Sequence, residues 1–239
     1  MSSQISLEKK LVISLEKAGF NVSKLPKAEV KALIDKSYSM KDEFESGWTQ
    51  KTLDLLLAAA LKFDDDGVLQ VGFYNTQFDR TADMTASDSG TYIRKHGIYV
   101  AGGTCFAEGI RAFKAGTKPA STKALEEKTG FFGKLFGSKA APKVAEVVAE
   151  SRGIPTYIPM ITDGDNGDKE EFERELATMS NTFVQIIAIG TGVKKGYLDG
   201  VASKYENVAV MYLPNPSSVT EEQFYDMILN KDFKKFMGV

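Results

Sequence analysis

Asp35, Ser37 and Ser39 stand at alternate positions of the stretch Asp35-Lys36-Ser37-Tyr38-Ser39, directly after the apolar run Glu29–Ile34. A carboxylate followed by two hydroxyls on one short loop offers hard oxygen donors. Such donors suit Mg²⁺, which takes near-octahedral geometry at about 2.0–2.1 Å and keeps several waters. Two neutral hydroxyls alone offset little of the ion's dehydration, so further oxygens must converge from elsewhere. Gly102-Gly103-Thr104 places another hydroxyl where a helix is expected to begin, and Ile161-Thr162-Asp163-Gly164 ends an expected strand with a carboxylate before a turn glycine. Taken singly, each stretch has a plainer explanation. Asp and Ser cap helices well, Thr104 reads as an N-cap, and Asp163-Gly164 reads as a turn. Their recurrence at matching strand ends is what favours a shared cation.

The elements that must position these residues alternate between short β-rich and longer helical runs, which predicts a doubly wound, mostly parallel six-stranded α/β sheet with one antiparallel edge strand. Strands are predicted at Glu29–Ile34, Val68–Tyr74, Phe78–Met84 (a short edge), Pro155–Thr162, Val184–Ile189 and Val208–Leu213. Helices are predicted at Gln50–Phe63, where Leu53, Leu56, Leu57, Ala60 and Leu61 recur at helical spacing, and at Asp88–Lys95, Thr104–Phe113, Lys169–Met179 and Thr220–Phe236. The last is amphipathic, with Phe224, Ile228 and Phe236 on its inner side. In a sheet of this kind ligands bind beyond the carboxyl ends of the strands, near the point where strand order reverses.

The chain has 239 residues, 43% of them hydrophobic, enough for one sizeable core, and it reads as a single domain over 1–239. A net charge of −2 argues neither for a nucleic-acid binder nor for a supercharged surface, and no nucleic-acid partner is expected. Cys105 is the only cysteine, no apolar run approaches the length of a membrane span, and the first twenty residues carry charges throughout; the expectation is a cytoplasmic protein without a secretory signal. A basic insertion at about 114–150 interrupts the alternation. From Arg111 to Lys143 eight basic residues face only Glu126 and Glu127, a local net charge of +6. Within it, FFGKLFG at 131–137 offers a surface for an acidic protein or for peripheral contact with an anionic membrane; the plainer reading, aromatics folded back onto the domain, is favoured over the membrane one.

Other residues invite chemistry and carry little of it. Cys105 needs a base to act as a nucleophile, and His96 is the only histidine; a small buried thiol in a helix and an exposed loop histidine are the favoured readings. Trp48 reads as core. Gly190-Thr191-Gly192 through Gly196 follows a strand, but the third glycine falls one residue too late, and after the fifth strand, for a dinucleotide fingerprint.

In their order and spacing, Asp-x-Ser-x-Ser, Gly-Gly-Thr and Ile-Thr-Asp-Gly resemble the metal-ion-dependent adhesion site of von Willebrand factor A domains, over roughly residues 28–215. ISLEKK…ISLEKAG, FFGKLFG and the turn at Gly190–Gly192 resemble the bacterial tellurium-resistance-associated branch. The resemblance implies that Ser37 and Ser39 ligate Mg²⁺ (or Mn²⁺ or Ca²⁺), Thr104 does so directly or through water, and Asp35 and Asp163 hold metal-bound waters and the ligating hydroxyls. An open position would then take an Asp or Glu of a protein partner. The family usually has glycine where this chain has Tyr38; a positive φ there would strain a tyrosine by about 1 kcal/mol. The implied protein is a metal-dependent binding module of a stress-response system and not an enzyme. One alternative is a phosphohydrolase of haloacid-dehalogenase type with Asp35 as nucleophile, which lacks its usual second carboxylate because Ser37 stands there. The other is a metal-free adaptor acting through the basic insertion.

Overall fold

The structure is a computed structural model that describes residues 2–114, 154–164 and 166–239. The strands are β1 Glu29–Asp35, β2 Gln70–Tyr74, β3 Phe78–Arg80, β4 Thr156–Thr162, β5 Thr182–Ile189 and β6 Val208–Leu213. They form one sheet in the order β3-β2-β1-β4-β5-β6, parallel throughout except for β3, which runs antiparallel to β2. Consecutive residues of β1, β4 and β5 are nearly all buried because helices cover both faces of the sheet.

Side chains alternate between the two layers with the period of the strand. Val30, Ala32 and Ile34 join a core with α1 (Ser2–Lys17), α3 (Trp48–Phe63), α8 (Glu221–Ile228) and α9 (Lys231–Phe236). Leu33 points the other way, into a core built from α5 (Phe106–Lys114), α6 (Lys169–Ala177) and α7 (Lys195–Lys204). Two short helices, α2 (Lys41–Glu45) and α4 (Tyr92–Lys95), lie in the connections around β2. Strand order reverses between β1 and β4, so the loops leaving these two neighbours part at the top of the sheet and open a crevice. Asp35 and Asp163 stand there.

Several elements differ from expectation. The closing helix is two helices: Asn230 interrupts it, its Oδ1 accepting from the Asp232 and Phe233 amides at 3.0 and 2.9 Å and capping α9. Phe233 enters the core against Phe63, Tyr157 and Phe183, and Phe236, half-buried, lies on the inner side as expected, its ring stacked on Phe183 with centroids 5.4 Å apart. The edge strand stops at Arg80, and Met84 rejoins the sheet only through an isolated bridge to Leu69. The helix expected from Asp88 starts at Tyr92 after a separate turn at Ala86–Asp88. Helix α1 packs Leu11 and Leu15 against α3 and α8, and α7 follows the Gly190–Gly192 turn; neither was expected. The basic insertion and 131–137 lie outside the described residues.

Candidate metal centre

Asp35 ends β1 wholly buried, and both carboxylate oxygens are engaged. Oδ1 accepts the Ser37 amide at 2.8 Å, and Oδ2 accepts the Thr162 hydroxyl at 2.9 Å. Burial pushes its pKa up to about 7; hydrogen bonds from Ser37 and Thr162 pull the other way, and the neighbouring Asp163 charge adds to the rise. The Ser37 and Ser39 hydroxyls lie 3.1 Å apart. Thr162 fixes the second strand end as well, since its hydroxyl accepts the Gly164 amide at 3.0 Å. Gly164 has φ +103, and a Cβ there would stand 2.9 Å from Val193 Cγ1, so both conformation and space demand glycine after Asp163.

Backbone bonds tie the third loop to the other two. The Tyr38 amide donates to Gly102 O at 3.1 Å and the Ala101 amide to Lys36 O at 2.8 Å, joining the glycine turn to the serine loop. The Gly167 amide donates to Thr104 O at 3.0 Å, joining Thr104 to the loop after Asp163. Asp168 completes the link: its two oxygens accept the Phe106 and Ala107 amides at 2.9 and 2.7 Å, capping α5 from across the crevice. Thr104 is therefore not the N-cap; the helix begins two residues later than expected. Thr104 is half-buried.

Tyr38 carries no left-handed strain. The only non-glycine with positive φ among the described residues is Asn181. Tyr38 opens a short 3-10 turn and is 66% exposed at the rim. Two other readings need correction. Cys105 is half-buried in the loop ahead of α5, not inside a helix, and His96, half-buried, packs its ring at a tilt against Tyr92 with centroids 4.5 Å apart. Trp48 is core, as expected.

Sequence reasoning missed Thr162, Asp168 and Glu43. Glu43, on α2, brings Oε1 to 3.8 Å from the place a Gly190 Cβ would occupy; burial first, then the Asp163 charge, raises its pKa. No ion pair joins Asp35, Asp163 or Glu43 to a lysine or arginine among the described residues. No group of three or more His, Cys, Asp or Glu placed to hold an ion occurs among them either. A cation here would draw on hydroxyl ligands backed by carboxylates, a donor set that suits a hard divalent ion.

The fold is that of a von Willebrand factor A domain. The family model described as "vWA found in TerF C terminus" matches residues 27–237, and the chain belongs to this vWA-TerF-like family. It is 24% identical over 233 residues to the uncharacterized protein YcbR of Bacillus subtilis, covering 94% of this chain and 83% of that one. Proximal thread matrix protein 1 of the mussel byssus, solved with a zinc-occupied metal-ion-dependent adhesion site, superposes with TM-score 0.54 at 16% identity. That likeness covers 86% of this chain, which spans less than half (46%) of the mussel protein. Manganese-loaded TRAP of Plasmodium vivax superposes with TM-score 0.53 at 14% identity, over 88% of this chain and 73% of that one. No helix among the described residues is long and apolar enough to cross a membrane.

Proposed function

We propose that the chain is a metal-dependent protein-binding module. Ser37, Ser39 and Thr104 would hold a divalent cation of the Mg²⁺ kind, Asp35 and Asp163 would orient the hydroxyls and bound waters, and an Asp or Glu of a partner would fill the open position. The observation that carries this is Asp35: a fully buried carboxylate, hydrogen-bonded through both oxygens, with no cationic partner among the described residues. A neighbouring divalent charge would make its ionised form tolerable. The zinc and manganese found in the two structural relatives support the same reading.

Binding without catalysis fits the same geometry. A nucleophilic Asp35 would need a free oxygen facing a substrate, whereas both are committed to Ser37 and Thr162 beneath the surface. The TerF-like family name is what ties the proposal to a tellurium-resistance or stress-response setting.

Isothermal titration of the chain with Mg²⁺ and with Mn²⁺ tests the reading. Saturable binding that Ser39→Ala weakens at least tenfold (about 1.4 kcal/mol) is the expected result. Equal heats for the wild type and the Ser39→Ala variant would refute it.

A further inference from the structure

The two edges of the sheet are guarded very differently. β3 is three residues long and carries Asp79 and Arg80, and Asp79 pairs with Lys36. Short, charged edges resist strand addition. β6 is twice as long, reads Val-Ala-Val-Met-Tyr-Leu, and has no charged side chain.

The outward backbone groups of β6 follow from its pairing. Asn207 O and Leu213 O accept from the Val184 and Gly190 amides of the β5 side, so every second residue from 207 to 213 turns its backbone inward. Val208, Val210 and Tyr212 turn theirs outward. The Val208 amide closes onto Tyr205 O at 3.1 Å. The Val208 carbonyl and both backbone groups of Val210 and Tyr212 meet no strand among the described residues.

Beside this edge lies a depression of about 490 Å³, lined by Val208 and Val210 and rimmed by Asp199, Glu206, Asp232 and Lys235. Three acids against one base leave the rim negative, and Lys235 is already engaged with Glu206 at 3.6 Å. A second copy of the chain paired edge to edge about a twofold axis would set this rim against itself. The charge favours a cationic visitor.

We propose that the outer edge of β6 receives an extended lysine- or arginine-bearing segment of a partner protein, which adds to the sheet as a further strand while its cations meet Asp199, Glu206 and Asp232. The depression borders the start of β6, at the opposite end of the strands from the metal loops. The two sites are therefore independent, and this one needs no metal.

Fluorescence anisotropy with a labelled peptide of alternating lysine and valine tests the proposal, with a glutamate–valine peptide as control and chelator present. The lysine peptide should saturate and the control should not. The Glu206→Lys, Asp232→Lys double variant should weaken binding by roughly tenfold or more through charge alone. Val210→Pro removes one outward amide at an edge position that tolerates proline, and should weaken binding while the circular dichroism and melting of the chain persist. On lysine-peptide binding, amide exchange at Val210 and Tyr212 should slow. Equal binding of both peptides, no saturation, or a wild-type dimer that Val210→Pro dissolves would each overturn the proposal, the last in favour of a second copy.

Discussion

Strand β1 carries a buried charge near each end, and the two are treated oppositely. Near its start Lys31, 7% exposed, has its ammonium 3.1 Å from Glu29, two residues away on the same strand. At its finish Asp35 is fully buried and meets only neutral donors, the Ser37 amide and the Thr162 hydroxyl. A buried charge with a counter-ion in the same chain is complete in itself. One without it must take up a proton or await an ion from outside, and the raised pKa of Asp35 expresses that choice. The contrast separates a residue that serves the fold from one that serves a ligand.

The sharpest way to break the comparison is to remove the Asp35 charge. Its folded-state pKa of about 7 lies above the ordinary value of 3.8, so the stability tied to the protonated group is complete below about pH 4 and is lost as pH rises through 7. In chelator, urea unfolding of the wild type should weaken across that window by up to about 4 kcal/mol, an upper bound from three units at about 1.36 kcal/mol each. Asp35→Asn should flatten that dependence. A wild type as pH-dependent as the variant would show that the burial penalty is relieved elsewhere.

Next in size is the support beneath the site. Asp168→Ala leaves the first amides of α5 without their cap and should cost about 1–2 kcal/mol in urea unfolding, loosening the Thr104 loop with it. Lys31→Met probes the other end of β1. Glu29 keeps some contact with water, so the change should stay within about 1 kcal/mol and leave the pH 4–7 slope untouched. The smallest effect belongs to Tyr38→Gly. With no strained φ to relieve, it should lower stability by about 0.5–1 kcal/mol through chain entropy, and titration should give an unaltered metal affinity.

Much of this was legible because strands in a parallel sheet are apolar runs that stop where the chain turns polar. Glu29–Ile34 running into Asp35, and Pro155–Thr162 running into Asp163, announced both the sheet and its switch point. What stayed hidden depends on contacts remote in sequence. Thr162 finds Asp35 across 127 residues, and Asp168 finds the Phe106 amide across 62. Nothing local distinguishes either from a strand-end threonine or a turn aspartate. Helix α1 did leave a signal, Leu7, Leu11 and Leu15 at four-residue spacing, in a stretch read for targeting and for its ISLEKK…ISLEKAG resemblance but not for helical periodicity. Gly196 and Gly200 lowered the helical propensity of α7. The split between α8 and α9 escaped notice because apolar residues continue at helical spacing on both sides of Asn230.

The most direct test of the unpaired carboxylate is urea unfolding above pH 7, in chelator and in millimolar Mg²⁺, for the wild type and Asp35→Asn. An ion that binds only the folded chain stabilises it by mass action. The wild type should gain stability with Mg²⁺ and the variant should gain little or none. Equal gains in both, or none in either, would contradict the claim that Asp35 is held in readiness for a cation.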